Sequence, residues 1–184
     1  SGWDTELEII GLTFADTGNQ INSVGRQIIY RNAVFAQTLC AIPSQALSWS
    51  MINGSMANCA MEMDKLIGAV NFYNTTIRSI SIQSSSVDRL DFTNSNATNF
   101  INGTPKYALI RRSTVASLKP GAFAYGRSDE TVCENSTISA LTVGGILEKG
   151  PSDAGVNIGF TMSGGVITIP ATYLTGLARW AVPG

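Results

Sequence analysis

The stretch GVNIGFTMSGGVITI, residues 155–169, decides the expected fold of this chain. Apolar residues occupy every second position from Val156 to Met162, and small or polar residues lie between them. Side chains of a β-strand point alternately to opposite faces, so this alternation predicts a half-buried strand. The tripeptide Ser-Gly-Gly at 163–165 then separates it from a second β-branched run, which is the pattern of a β-hairpin. The stretch therefore predicts an antiparallel sheet packed on a core.

Similar short strand-like runs, separated by turn residues, recur along the chain. They lie at residues 5–14, 26–35, 45–52, 79–83, 87–93, 107–116, 122–125, 136–143 and 172–182. Many short strands with frequent turns are typical of sandwiches and jelly rolls. We therefore predict an all-β fold, an antiparallel β-sandwich of jelly-roll or pilin/Ig-like type, in a single domain spanning residues 1–184.

Two segments show other periodicities. Apolar residues at 58–70 fit one face of a helix, although the alternation of Cys59 and Met61 fits a strand about as well. We expect a short helix there, and at most one or two in the chain. A five-residue spacing between Leu90 and Phe100 covers too few units to indicate a solenoid.

The composition restricts the partners of this chain. Charged residues make up 14% of the sequence and hydrophobic residues 44%, against about 25% charged residues in ordinary soluble domains. An undercharged surface indicates that something covers it, such as other subunits or glycans. The net charge of -1 argues against nucleic-acid binding, and we interpret the pair Arg111-Arg112 as one solvent-facing and one edge-facing arginine. No apolar run reaches the roughly 20 residues that a membrane-spanning helix needs.

The sequence lacks the residues of most catalytic sites. It has no histidine, which excludes Ser-His-Asp and Cys-His nucleophiles and His-ligated metals. Three widely spaced cysteines do not form the close pairs of a zinc site. We therefore expect a protein that is not an enzyme and holds no cofactor or metal.

One short motif, Asp16-Thr17-Gly18, resembles the catalytic loop of aspartic peptidases. Such enzymes need two aspartates that share a proton, so the resemblance implies dimerisation across this loop. The motif also fits an ordinary turn. An aspartic-type peptidase using Asp16 is accordingly the last of three functional hypotheses.

Cysteines and glycosylation sequons provide candidate modification sites. Of three possible single bridges among Cys40, Cys59 and Cys133, we favour Cys40 with Cys59, with three reduced thiols as the alternative. Asn-x-Ser/Thr sequons begin at Asn53, Asn74, Asn96, Asn102 and Asn135. All lie in predicted turns or loops, where a glycan acceptor must be exposed.

The N-terminal strand is too apolar for an exposed position. Between residues 7 and 14, the apolar residues and the one glycine are Leu7, Ile9, Ile10, Gly11, Leu12 and Phe14. The segment resembles the donor strands of pilin-type subunits, which implies insertion into a neighbouring subunit, and residues 1–14 become a candidate assembly strand. The run at 166–169 shares the excess of apolar residues, so we expect subunits to meet at these two strands.

These features lead to two further hypotheses besides the peptidase. The first is a structural subunit that assembles with copies of itself into an extracellular filament or a virion shell. The second is a surface module that binds a glycan or a receptor, with Trp3, Trp49, Tyr125 and Trp180 as candidate stacking residues. Both hypotheses place the protein outside the cell, at a cell surface or on a virion.

Overall fold

The computed structural model describes residues 6–14, 26–36, 39–41, 45–63, 66–82, 87–102, 105, 107–119, 130–141 and 160–168. All regular structure in these residues is β-strand. The strands are β1 Glu6–Ile10, β2 Thr13–Phe14, β3 Gln27–Arg31, β4 Val34–Phe35, β5 Leu39–Ala41, β6 Gln45–Ile52, β7 Ser55–Met63 and β8 Leu66–Tyr73, followed by β9 Thr76–Ile82, β10 Val87–Thr93, β11 Asn96–Asn102, β12 Tyr107–Arg111, β13 Thr114–Val115, β14 Leu118–Lys119, β15 Glu130–Ile138 and β16 Phe160–Ile167.

Every strand pair between these elements is parallel, and the chain forms a β-solenoid. Residues pair with residues about one coil later, as Glu6 does with Gln27 and Gln27 with Ser48. Strands β1, β3, β6, β8, β10 and β12 stack in a first column, and β2, β4, β7, β9, β11 and β13 in a second. Strands β15 and β16 each run through both columns, so that one sheet closes around the core. We call one first-column strand with the second-column strand that follows it a rung.

A residue with positive φ turns the chain between the two columns of each rung. These corner residues are Gly11, Asn32, Asn53, Asn74, Asn94, Arg112, Asn135 and Gly164. Gly and Asn tolerate this left-handed conformation better than other residues, which makes Arg112 the exception. The N–H of each corner from Gly11 to Arg112 donates to the carbonyl just before the next corner, as from Asn53 to Tyr73 at 2.9 Å.

The core lies between the two columns and is built from stacked apolar positions. Two residues before the corner come Ile9, Tyr30, Met51, Phe72, Phe92, Ile110, Cys133 and Met162. Three residues after it come Phe14, Phe35, Met56, Ile77, Ala97, Val115, Ile138 and Ile167. Aromatic rings continue from rung to rung, with centroids 5.7 Å apart from Tyr30 to Trp49 and 5.5 Å from Trp49 to Phe72. Burial of these columns is the main source of stability.

Small polar side chains form a buried ladder directly after the corners. The backbone N–H of Thr75 donates to Ser95 Oγ, that of Ser95 to Ser113 Oγ, and that of Ser113 to Ser136 Oγ, at 3.1 to 3.2 Å. Each serine hydroxyl in turn donates to a backbone carbonyl, as Ser113 does to Phe92 at 3.0 Å. We call Thr75, Ser95, Ser113 and Ser136 the serine ladder. It satisfies the backbone where the sharp turn interrupts the strand pairing.

The expected antiparallel β-sandwich is therefore wrong, although the all-β class is confirmed. The hairpin predicted at 155–169 is wrong as well, because β16 passes through residues 163–165 and pairs with β15 on both sides of them. Gly164 and Gly165, with φ of +64° and +82°, form a solenoid corner and not a reversal. Alternation of apolar and polar residues is the same in parallel and antiparallel strands, so it could not distinguish the two.

The helix expected at 58–70 is also wrong. The segment contributes to β7 and β8, and Cys59 and Met61 point into the core as strand alternation requires. Pairing with β9 and β6 outweighs a helical spacing that the sequence supported only locally. The dismissal of a solenoid was equally wrong, because the repeat is about four times longer than the spacing between Leu90 and Ser95.

Candidate functional site

The first rung forms one end of the described solenoid. Strand β1 pairs with β3, and no described strand pairs with its other edge. Ile9 and Phe14 continue the two core columns but are only half-buried. Phe14 is held by aromatic contacts inward, stacking on Phe35 at 4.7 Å and meeting Tyr30 edge-on at 5.9 Å. The core therefore ends here in side chains that are covered on one side.

Two large aliphatic side chains of the first rung are exposed. Ile10 is 61% exposed and Leu12 is 52% exposed. Leu12 directly follows its corner, a position that small residues occupy in the other rungs, namely Ala33, Gly54, Thr75, Ser95, Ser113, Ser136 and Gly165. The first rung therefore presents apolar surface that the inner rungs do not.

The last described rung has the same character. Strand β16 pairs with β15, and within the described residues nothing pairs with its outer edge. Met162 and Ile167 continue the core columns and are half-buried, while Val166 is 59% exposed. Strand β16, with the sequence FTMSGGVI, contains no ionisable residue. This end is uncharged along its whole strand.

Gly165 leaves the position after the corner without a side chain at this end. A Cβ at Gly165 would lie 2.1 Å from the backbone oxygen of Ser136, so no other residue fits without a shift of the backbone. Its φ of +82° disfavours other residues independently. The position after the corner is therefore empty of side chain at this end, whereas Leu12 fills it at the other.

The outer face of the first column carries a group of charged and aromatic side chains. Arg89 Nε donates to both carboxylate oxygens of Asp91, at 3.2 and 3.1 Å, and its guanidinium lies 4.9 Å from the ring centre of Tyr107. The hydrogen bond to Asp91 raises the pKa of Arg89. Burial, followed by the Asp91 carboxylate, raises the pKa of the nearby Tyr73 phenol. These residues bring a guanidinium, a carboxylate and two phenol rings together on the outer face of the first column.

Two further ion pairs link neighbouring strands of the first column. Arg111 Nε donates to Glu134 Oε2 at 2.7 Å, and Arg31 pairs with Glu8. Arg112 is exposed at its corner and faces solvent, whereas Arg111 lies on β12 between β10 and β15 and is not at a sheet edge as expected. Sequence analysis missed the Arg89–Asp91–Tyr107 group, because its members come close only through stacking of β10 on β12.

Three of the five sequons begin at corner residues of the solenoid. Asn53, Asn74 and Asn135 are exposed corner residues, and in each case the Ser or Thr of the sequon begins or continues the second-column run. Asn74 Nδ2 donates to Asn53 Oδ1 at 3.0 Å, so the side chains stack along the corner. Asn96 is exposed in β11, whereas Asn102 is half-buried and its Oδ1 has no hydrogen-bond partner in the described part. Glycosylation at any of the five remains a prediction.

No disulfide joins Cys59 to Cys133, the two cysteines whose side chains the structure describes, so the expected disulfide is not met among the described side chains. Cys133 is a free thiol in the core, and burial raises its pKa to about 12. Cys59 is buried and engaged in a contact, while the side chain of Cys40 lies outside the described part. The specific pairing of Cys40 with Cys59 remains untouched by these observations.

Several candidate residues fall outside the described part. These are Asp16, Thr17 and Gly18 of the peptidase-like motif and the candidate stacking residues Trp3, Tyr125 and Trp180. The fourth stacking candidate, Trp49, is buried in the core and cannot contact a ligand at the surface.

Neither a metal-binding cluster nor a membrane-spanning helix is found among the residues that the structure describes. In the described ranges, no three His, Cys, Asp or Glu residues lie close enough together to hold a metal ion. The described part also has no helix with the length and hydropathy needed to cross a membrane.

Comparison with known proteins gives no relative. No protein-family model, no curated protein and no solved structure matches this chain. Function must therefore be argued from the end rungs and the outer face.

Proposed function

We propose that this chain is a non-enzymatic structural subunit that assembles with copies of itself into an extracellular filament or a virion shell. The observation that carries the proposal is that the core is incompletely covered at the two end rungs. Ile9 and Phe14 at one end, and Met162 and Ile167 at the other, leave the core half-covered. Exposed Ile10, Leu12 and Val166 add apolar surface beside them.

Physical chemistry favours covering both ends. Burial of apolar surface contributes about 25 cal/mol per Å², and an uncovered strand edge adds unpaired N–H and C=O groups. A protein with only 14% charged residues has few means of keeping such ends apart by repulsion. Contact between subunits at these ends satisfies the backbone and the apolar side chains together.

Assembly is tested by placing a charge at one end of the full chain. Val166→Lys puts an ammonium group on the exposed last rung and should lower the sedimentation coefficient to that of a monomer. Val34→Lys is the matched control, because Val34 is also exposed and follows its corner by two residues, but lies on β4 between β2 and β7.

The control variant should assemble like the unmodified chain. A full chain that stays monomeric at high concentration in sedimentation and in electron micrographs would contradict the proposal. If both lysine variants assembled equally well, the end rungs would not be the surfaces through which subunits associate.

A second candidate function is recognition of a glycan or a receptor on the outer face of the first column. Arg89, Tyr107 and Tyr73 support it, because a guanidinium stacked on an aromatic ring beside a phenol offers both donors and an apolar face. The Val166→Lys variant, which we expect to be monomeric, serves as the parent chain on a glycan array. Adding Arg89→Ala to this parent should abolish glycan binding. Arg78→Ala, which removes an exposed arginine from the second column, should retain binding. Absence of glycan binding by the parent would exclude glycans as the ligand.

A further inference from the structure

We propose that copies of this chain stack head to tail, with β16 of one copy pairing in parallel with β1 of the next in the register of the solenoid itself. This inference rests on the proposed function and names its contact. Gly164 of one copy then lies beside Gly11 of the next, so that corner follows corner across the junction. The partner is a second copy of the same chain.

The backbone defines this register. Between rungs, the corner N–H donates to the carbonyl just before the next corner, as from Asn32 to Ile52 at 3.0 Å and from Arg112 to Glu134 at 2.8 Å. The N–H two residues after a corner donates back to the previous rung, as from Ser55 to Ala33 at 3.0 Å. Both bonds recur through the stack.

Continuing this pattern across the junction gives two specific bonds. Gly164 N–H donates to Ile10 O of the next copy, and Thr13 N–H of that copy donates to Gly165 O. Both strands run in the direction shared by all rungs, so no reversal or new fold is needed. The junction repeats what each pair of inner rungs already does.

The side chains fit the same register. Met162 comes over Ile9 and Ile167 over Phe14, which joins the two core columns of one copy to those of the next. All four are half-buried in the single chain and become fully buried in the stack. The junction therefore adds a rung-to-rung contact of the same apolar kind as the interior.

Leu12 and Gly165 complement each other in this arrangement. Leu12 is the large exception among the small residues that follow the corners, and in this register it lies against Gly165, which has no side chain. The acidic residues Glu6 and Glu8 of β1 meet no like charge, because β16 has no ionisable residue. Shape and charge both permit the contact.

The geometry directs growth in one dimension. Seven strand spacings separate β1 from β16, which is about 34 Å at the usual distance between paired strands, so one chain cannot join its own ends. The contact uses different surfaces on the two copies, and such heterologous contacts continue into open filaments unless rotation closes a ring. Among the proposed assemblies, the inference favours the filament.

Cysteine cross-linking tests the register in the full chain. Ile10 and Ser163 are both exposed and become direct neighbours in the stack. The double variant Ile10→Cys with Ser163→Cys, oxidised in the assembled state, should give a ladder of covalent oligomers in steps of 19.5 kDa on a non-reducing denaturing gel. Circular dichroism and thermal unfolding verify that the variants retain the fold.

A matched control displaces one cysteine along the strand. Ile10→Cys with Val166→Cys moves the second thiol by three residues, which is about 10 Å. This variant should give no more covalent oligomer than the unmodified chain. Covalent dimers from Ile10→Cys alone would show that two identical ends meet, and would overturn the inference. Assembly without a ladder from the Ile10/Ser163 pair would overturn the register while leaving the proposed function intact. A strictly monomeric chain would overturn both.

Discussion

The inner rungs and the end rungs of this solenoid share one structural repeat but differ in how completely their core side chains are covered. Between β8 and β15, the core columns are closed by aromatic and aliphatic neighbours on both sides, and the serine ladder satisfies the backbone beside the corners. At β1 and β16 the same columns end half-covered, and the position after the corner is occupied by Leu12 and Gly165, respectively. The fully buried part of the core therefore lies in the middle of the described solenoid, whereas the two end rungs are where we propose that subunits associate. Four predictions test this division.

The largest effect is expected from the aromatic stack. Phe72 is fully buried between Trp49 and Phe92, with ring centroids at 5.5 and 5.7 Å, so Phe72→Ala should lower the free energy of unfolding by about 3–5 kcal/mol. Phe14→Ala, in the half-buried end rung, should cost less than half as much in a monomeric background. Urea unfolding followed by circular dichroism measures both. Equal losses would break the distinction between middle and end.

The serine ladder should respond next. Ser113→Ala removes the acceptor of the Ser95 N–H and leaves that group buried and unpaired, which should cost about 1–3 kcal/mol. The exposed Ser163→Ala at the end rung should change stability by less than about 0.5 kcal/mol. Hydrogen exchange adds a local test, because the Ser95 amide should lose protection in the first variant alone. Unchanged exchange at Ser95 would contradict the role of the ladder.

A smaller gain is expected at the irregular corner. Arg112 holds φ +48°, a conformation that favours Asn or Gly, so Arg112→Asn should raise the free energy of unfolding by about 0.5–1 kcal/mol. Asn74→Ala, at a regular corner with φ +51°, should lower it by about 1 kcal/mol. The midpoints of urea unfolding decide this. A loss of stability in Arg112→Asn would mean that the arginine stabilises its corner by other contacts.

The Cys133 thiol should affect stability only in alkali, so near neutral pH its effect is the smallest of the four. Burial raises its pKa to about 12 in the folded chain, above the value of about 8.5 for a free thiol. Above pH 8.5 the unfolded state therefore loses a proton that the folded state keeps, so stability falls as pH rises from about 9 to 12. Cys133→Ser should lessen this decline. At pH 8 the native thiol should react with a disulfide reagent only as fast as the chain unfolds.

The sequence predicted local strands better than their arrangement. Strands were expected at 45–52 and 87–93, where β6 and β10 lie, but strand direction leaves no mark on alternation. The solenoid had a readable mark that was overlooked: Asn32, Asn53 and Asn74 recur 21 residues apart, each followed by a small residue. A repeat of that length indicates stacked rungs. The tolerance of Asn for positive φ is its physical cause.

The two end rungs could be predicted from the sequence in part. An excess of apolar residues at 7–14 and 166–169 marked two strands as unsuited to exposure, and the structure places β1 and β16 at opposite ends. The sequence could not show that each of these strands keeps one edge unpaired within the described part, because that follows from the register of the coils. The outer face of Arg89 and Tyr107 was also hidden, since residues 18 positions apart meet only after stacking.

The uneven distance between corners has a consequence for how this chain can change. Asn94 and Arg112 are 18 residues apart and Asn135 and Gly164 are 29 apart, yet both intervals join rungs in unbroken register. Length is thus absorbed between the second strand of one rung and the first strand of the next, where doubling a flexible connection costs only about 0.6 kcal/mol. Within strands an extra residue is taken up by a local bulge, as between Ala97 and Phe100 of β11, after which Ile101 still lies in the core. Mutation can therefore insert foreign peptides at the rung connections and leave the core sequence intact.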